Sequence, residues 1–186
     1  MISYLEGTVR SITGSNLTVV IGGVGYLISC PLPLLLSYKD GDIASFVIHT
    51  RVREDAITLY GFGNASELEL FEKLTSVSGI GPKSALSMMS MHSPASIADA
   101  IEKNDIAMLS HTPGIGKKTA EKIIVELRGK LTHLQNTSGD DSLFEVRLAL
   151  EALGYTSKEI YDVVGKLTTT EKDVSKLIRE ALTYIK

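Results

Sequence analysis

The sequence predicts a multidomain α+β protein, from three observations. Residues 1–64 carry short runs of β-branched and apolar residues broken by glycine turns. Over residues 65–134 the apolar residues recur at a helical period of about 3.6. Gln135 to Asp141 then read QNTSGDD, a flexible linker without an apolar residue, before a second helical segment at 142–186. Of the 186 residues, 44% are hydrophobic and 22% charged, enough apolar material for packed cores and too much for a disordered chain.

In the first segment, Thr8, Val9 and Ile12 form one run and Leu17 to Ile21 another, with Gly14, Ser15 and Asn16 between them. Gly22 and Gly23 mark the next reversal, and Tyr26, Leu27 and Ile28 begin a third strand. Pro31 to Ser37, with two prolines and a leucine run, reads as an irregular or helical plug over one end of the sheet. Asp40-Gly41 turns the chain into a strand at Ile43 to Val52, and Ile57, Leu59 and Tyr60 lead a last strand to Gly61. Five short strands in about 60 residues suit a small closed barrel, for which the five-stranded OB-fold is the commonest solution.

Ser66-x-x-Glu69 is a capping-box pattern, followed by Leu68, Phe71 and Leu74 on one helical face. Ser93-Pro94 starts another helix, with proline at the first position, where its missing N–H costs nothing. Beyond the linker, Ser142-x-x-Glu145, Thr156-x-x-Glu159 and Thr170-x-x-Asp173 predict three helix starts, a C-terminal three-helix module, with Gly154 as a C-cap. A linker of about seven residues spans about 15 Å as a flexible coil, which limits the reach of that module.

Charge and cysteine content narrow the function. Nineteen Lys and Arg stand against 22 Asp and Glu, so no segment attracts nucleic acid by net charge. A single cysteine, Cys30, forms no internal disulfide and no cysteine-based zinc cluster, which fits a reducing compartment. Glu6 and Arg10 argue against a signal peptide, and the most apolar stretch, Leu17 to Ile28, is broken by three glycines, short of the roughly 20 apolar residues of a membrane span. The expectation is a soluble, cytoplasmic protein. With no Walker A loop, no Ser-His-Asp or Cys-His pattern and no metal-ligand cluster, the sequence offers no catalytic, metal or cofactor residues.

The strongest signal is a duplication at a spacing of 35 residues: Leu74 to Ala85 reads LTSVSGIGPKSA and Leu109 to Ala120 reads LSHTPGIGKKTA. Each unit is a helix, a Gly-Ile-Gly turn, a basic residue and a second helix. The paired glycines allow positive φ and close backbone approach. Ile80 and Ile115 can point into the core and pin the hairpins. The helix that follows each turn starts with unpaired N–H groups and partial positive charge, a site for a phosphate. Lysine in a first turn opposes the helix dipole, so Lys83 and Lys118, repeated at the same offset, point to an external anion. The predicted phosphate-binding set, which the resemblance described below makes a DNA-binding set, is Gly79, Ile80, Gly81, Lys83 and Ser84 in the first hairpin. In the second it is Gly114, Ile115, Gly116, Lys117, Lys118, Thr119 and Lys122. Pro113 to Lys130 is locally basic, and Ala120, Ile123, Ile124 and Leu127 form the core stripe beside Lys118 and Lys122. Phosphate contacts of this kind carry no base code.

Gly-Ile-Gly followed by a basic residue resembles the helix-hairpin-helix motif of sequence-independent DNA-binding proteins. The order of barrel, tandem helix-hairpin-helix domain and small helical module resembles the RuvA family, the Holliday-junction-binding subunits of the RuvAB branch-migration complex. The stretches that carry the resemblance are Gly22 to Tyr26 (GGVGY), Arg53 to Ala56 (REDA), Leu59 to Phe62 (LYGF), both hairpins, and Ala152 to Tyr155 (ALGY). The resemblance implies a non-catalytic subunit acting in recombination, DNA repair and the SOS response to DNA damage. It implies a homotetramer on four-way junction DNA, or two tetramers enclosing the junction. A RuvB-type hexameric ATPase would be the motor and a RuvC-type resolvase a further partner, with no membrane and no cofactor. It also implies that Glu54 and Asp55, read alone as an ordinary charged turn, form an acidic pin at the junction centre. Two carboxylates facing phosphates at about 4 Å repel by roughly 1–4 kcal/mol per pair. Leu150, Leu153, Leu167 and Leu182 are the motor-binding positions it implies.

Two rival readings remain on the residues alone. A helix-hairpin-helix glycosylase or nuclease would require an acid in a pocket after the second hairpin, where the sequence offers only Glu121 and Glu126. A generic single-strand-binding adaptor would stack bases on barrel aromatics, which are sparse.

Overall fold

The computed structural model describes residues 1–131, 134, 146, 149, 150, 152–164, 167 and 173–184. The linker at 135–141 and the Ser142–Glu145 helix start lie outside the described residues.

The first domain is a closed five-stranded barrel in the order β1-β2-β3-β5-β4. Its strands are β1 (Tyr4–Thr13), β2 (Asn16–Ile21), β3 (Val24–Ser29), β4 (Ile43–Val52) and β5 (Ile57–Phe62). Closure depends on β1, whose first half pairs with β4 (Tyr4 opposite Val47) and whose second half pairs with β2 (Thr13 opposite Asn16). A bulge between Val9 and Ser11 lies within the β2-paired half. The parallel pairing of β3 with β5 completes the ring. Val9, Leu17, Val19, Ile28, Phe46 and Leu59 fill the interior. The predicted plug is a short helix, α1 (Leu32–Leu35), packed into the same core through Leu35. Cys30 is buried there, and burial pushes its thiol up to about 12, so it stays protonated and inert at neutral pH.

The second domain contains α2 (Ala65–Ser76), α3 (Pro82–Met91), α4 (Pro94–Glu102), α5 (Ile106–Ser110) and α6 (Lys117–Leu127). Leu70, Phe71, Leu74, Met88, Ile97, Ile101, Leu109 and Ile123 form its core. The start of α2 corrects the sequence expectation. The cap is Asn64, not Ser66, and its side chain accepts from the Glu67 N–H at 2.9 Å. The Glu67 carboxylate reaches back to the Gly63 N–H at 2.9 Å. Asparagine is as good a cap as serine, and Asn64 is the first residue after β5 free to take it. The Ser93 cap of α4 is as predicted.

In the third segment, α7 (Ser157–Val164) starts on the predicted Thr156–Glu159 capping box, with the Thr156 N–H donating to Glu159 at 2.8 Å. The next helix, α8 (Val174–Tyr184), starts on Asp173, whose carboxylate accepts from the Ser175 N–H at 3.0 Å. Asp173 is therefore itself the cap, three residues beyond the predicted Thr170, which lies outside the described residues. Val146, Leu150, Ile160, Val163, Leu177 and Ala181 pack as a separate core. Among the described residues no helix is long and apolar enough to cross a membrane.

Candidate nucleic-acid interface

The sequence repeat is also a repeat in hydrogen bonds. Ile80 N–H donates to the Val77 carbonyl at 3.1 Å, and Ile115 N–H to that of Thr112 at 3.0 Å. Ala85 N–H donates to Gly81 at 3.0 Å, and Ala120 N–H to Gly116 at 2.9 Å. Ile80 and Ile115 are both buried, so each pins its turn to the domain core as the sequence implied.

The two glycines of each turn do different work. Gly79 and Gly114 have φ of +97° and +83°, a conformation side chains resist. Gly81 and Gly116 have φ of −93° and −85°, which any residue adopts. Neither is crowded, because a Cβ at Gly81 or Gly116 would meet nothing within 4 Å. Nothing among the described residues therefore requires glycine at the second position; its effect is to leave the backbone open from outside. These glycines are also the N-caps of α3 and α6, and neither helix has a side-chain cap. The first-turn N–H groups of Lys83 and Ser84 in α3, where Pro82 has none, and of Lys117 and Lys118 in α6 thus lie behind a bare backbone, with the positive end of each helix facing out.

The hairpins adjoin. A Cβ on Gly114 would come within 3.1 Å of the Ser84 hydroxyl in the first turn of α3, so the two bare helix starts lie side by side. Lys83, Lys117, Lys118 and Lys122 are exposed, and among the described residues none forms a salt bridge. Ser84 and Thr119 are half-buried at the foot of their helices. Arg128, from the same basic run, is engaged elsewhere, donating to the Asn104 side chain at 3.3 Å. Ala120, Ile123, Ile124 and Leu127 are buried, the predicted core stripe of α6.

Glu54 and Asp55 form the tip of the β4–β5 hairpin, closed by the Arg53 N–H on the Ala56 carbonyl at 2.8 Å. Both are exposed. Of the four leucines assigned to partner binding, Leu150 and Leu167 are buried in the third core and hold the module together. Leu153 and Leu182 are 61% and 37% exposed, so these two reach the surface. The difference is one of tertiary packing, which apolar identity alone does not specify.

Known families match along the chain. Residues 1–61 match the RuvA N-terminal domain, residues 71–130 a SAM-like tandem helix-hairpin-helix, and residues 141–186 the RuvA C-terminal domain. A protein of Lactobacillus johnsonii described as Holliday junction branch migration complex subunit RuvA is 41% identical, over 100% of this chain and 98% of its own. Its counterpart in Acholeplasma laidlawii is 42% identical over 100% and 99%. That of Lactobacillus helveticus is 42% identical over 94% and 93%.

Proposed function

The chain belongs to the RuvA family, and on that premise we propose that it binds four-way junction DNA by shape, as the non-catalytic subunit that delivers an ATPase motor for branch migration. The observation that carries this reading is the pair of adjoining, uncapped helix starts on Gly81 and Gly116. Each presents open N–H groups to one phosphate, and Lys83, Lys117, Lys118 and Lys122 reinforce them by point charge. Two such sites side by side suit nearby phosphates of one DNA arm and read no base.

The acidic tip at Glu54 and Asp55 gives the opposite sign. Facing phosphates, it disfavours continuous duplex and favours a site where strands part. A homotetramer would match the four arms of a junction, and a second tetramer could close over it. Leu153 and Leu182 supply the apolar surface for a RuvB-type hexameric ATPase, with a RuvC-type resolvase as a further partner. The setting for this activity is the cytoplasm.

A gel-shift titration of the full chain on a four-way junction, a linear duplex and a single strand tests the reading. The junction is expected to bind about tenfold tighter or better, a difference of about 1.4 kcal/mol. Equal affinity for all three overturns it. In the same assay with the motor and ATP, Leu153→Asp is expected to stop branch migration without changing junction affinity.

A further inference from the structure

We propose that His49 and Glu72 form a positioning clamp that holds the acidic β4–β5 tip in register with the phosphate-binding hairpins, and so sets the discrimination between junction and plain duplex. The proposal rests on the functional reading above, because it assigns the tip a role against phosphates.

His49 lies in β4 opposite Tyr60 of β5, well below the tip of that hairpin. Its Nδ1 is 3.0 Å from Glu72 Oε1 on α2, a hydrogen bond between the barrel and the second domain. The imidazole also stands edge-on to Phe71, with centroids 5.4 Å apart. Phe71 in turn meets Tyr60 at 5.1 Å and Phe62 at 4.9 Å. The base of the β4–β5 ribbon is therefore seated on α2 by one ring cluster and one polar bond. The same helix runs directly into the Gly79 turn, so α2 links the ribbon to the first phosphate site.

Above the clamp Thr50 is tied to Ile2 by hydrogen bonds from the Ile2 N–H and to the Ile2 carbonyl, and beyond it the ribbon stands largely free. Val52 and Ile57, the last paired residues, are 69% and 70% exposed, and Glu54 and Asp55 lie beyond them. Glu54 lies five positions beyond His49, a lever of roughly 16 Å at strand rise. A rotation of roughly 10° at its base would carry the carboxylates about 3 Å, which changes a charge–phosphate interaction that varies inversely with distance. The clamp itself adds little to stability, since the His49 and Glu72 side chains are 31% and 53% exposed. What it contributes is placement. Another polar bond, Leu32 N–H to Ser90 Oγ at 2.9 Å, joins α1 to α3 and does not touch the ribbon.

The test measures the ratio of junction to duplex affinity for the full chain and its variants. His49→Ala and Glu72→Ala are each expected to lower the ratio about fivefold through tighter duplex binding. Their melting temperatures should shift by about 2 °C or less, as for an exposed pair. His49→Gln, which retains a side-chain donor, should recover most of the ratio. In a Glu54→Gln/Asp55→Asn background, His49→Ala should have no further effect, because the clamp acts only through the tip. Ser90→Ala should leave the ratio unchanged. An unaltered ratio in both alanine variants, an equal fall with and without the tip charges, or the same fall in Ser90→Ala overturns the clamp. A wild-type chain with no junction preference overturns the functional reading instead, and is seen before any variant is compared.

Discussion

Helices of the second domain begin in two ways. Asn64, Ser93 and Asp105 cap α2, α4 and α5, each accepting from an N–H three residues on. Gly81 and Gly116 stand at the same position of α3 and α6 with nothing to accept with. The backbone does not impose the difference. Ser93 has φ −68° and ψ 156°, close to the −93° and 168° of Gly81 and the −85° and 169° of Gly116. A serine would fit all three. Asn64 and Asp105 are exposed like the two hairpin glycines, so exposure does not account for the difference either; on the proposed reading, the hairpin starts are left for a DNA phosphate to complete. The lysines agree, standing in first turns where the dipole disfavours them.

The largest way to break this contrast is to disturb the turn that presents the bare ends. Gly114→Val forces a β-branched residue to positive φ, a strain of about 1–3 kcal/mol, and pushes on Ser84 as well. Its melting temperature should fall by several degrees with loss of junction binding. Gly79→Val carries the strain without the clash and should fall less, by thermal unfolding under the same conditions.

Converting one kind of helix start into the other sharpens the comparison. Gly116→Asp supplies the missing cap, so stability should hold or rise by a few tenths of a kcal/mol. Junction affinity should nonetheless drop about tenfold or more, because a carboxylate takes the phosphate's place. Asn64→Ala should do the reverse, costing about 1 kcal/mol of stability with DNA affinity unchanged. Paired denaturation and gel-shift curves for the two variants check this, and parallel losses in both would remove the distinction.

Lys118→Glu affects the charge beside a bare end while the backbone stays intact. It should weaken binding whatever the base sequence and flatten the dependence of log affinity on log salt by about 0.9. A lower affinity with an unchanged slope would mean that Lys118 meets no phosphate.

The smallest effect lies at an ordinary cap. Hydrogen bonds from the Thr156 hydroxyl and backbone hold the Glu159 carboxyl below its usual range. A carboxylate depressed in the folded state contributes stability above its unfolded value, and that contribution fades as pH falls through the folded one. Thr156→Ala should therefore lessen the acid sensitivity of α7 melting, followed by circular dichroism, and leave junction binding as it was.

Much of this molecule follows from local chemistry. The five strands, the α4 cap on Ser93, the Thr156–Glu159 box and the buried Ile80 and Ile115 were legible because each depends on residues a few positions apart. The 35-residue repeat was legible because two copies of one turn need the same residues twice. Local chemistry was less sure where neighbours compete: Asn64 and Asp173 took caps that Ser66 and Thr170 could equally have claimed.

Tertiary structure decided the rest, because it depends on which faces meet. Sequence marks Leu150, Leu153, Leu167 and Leu182 alike as apolar; only packing buries the first and third and leaves the other two outside. Sequence pairs the glycines of each turn; only the fold separates Gly79 and Gly114, which need positive φ, from Gly81 and Gly116, which leave the backbone open. His49 and Glu72 are 23 residues apart on different domains, and no periodicity or motif relates them. Their meeting required the barrel to close and α2 to dock on it. A residue's own preferences travel with the sequence, whereas its long-range partners exist only once distant segments share one surface.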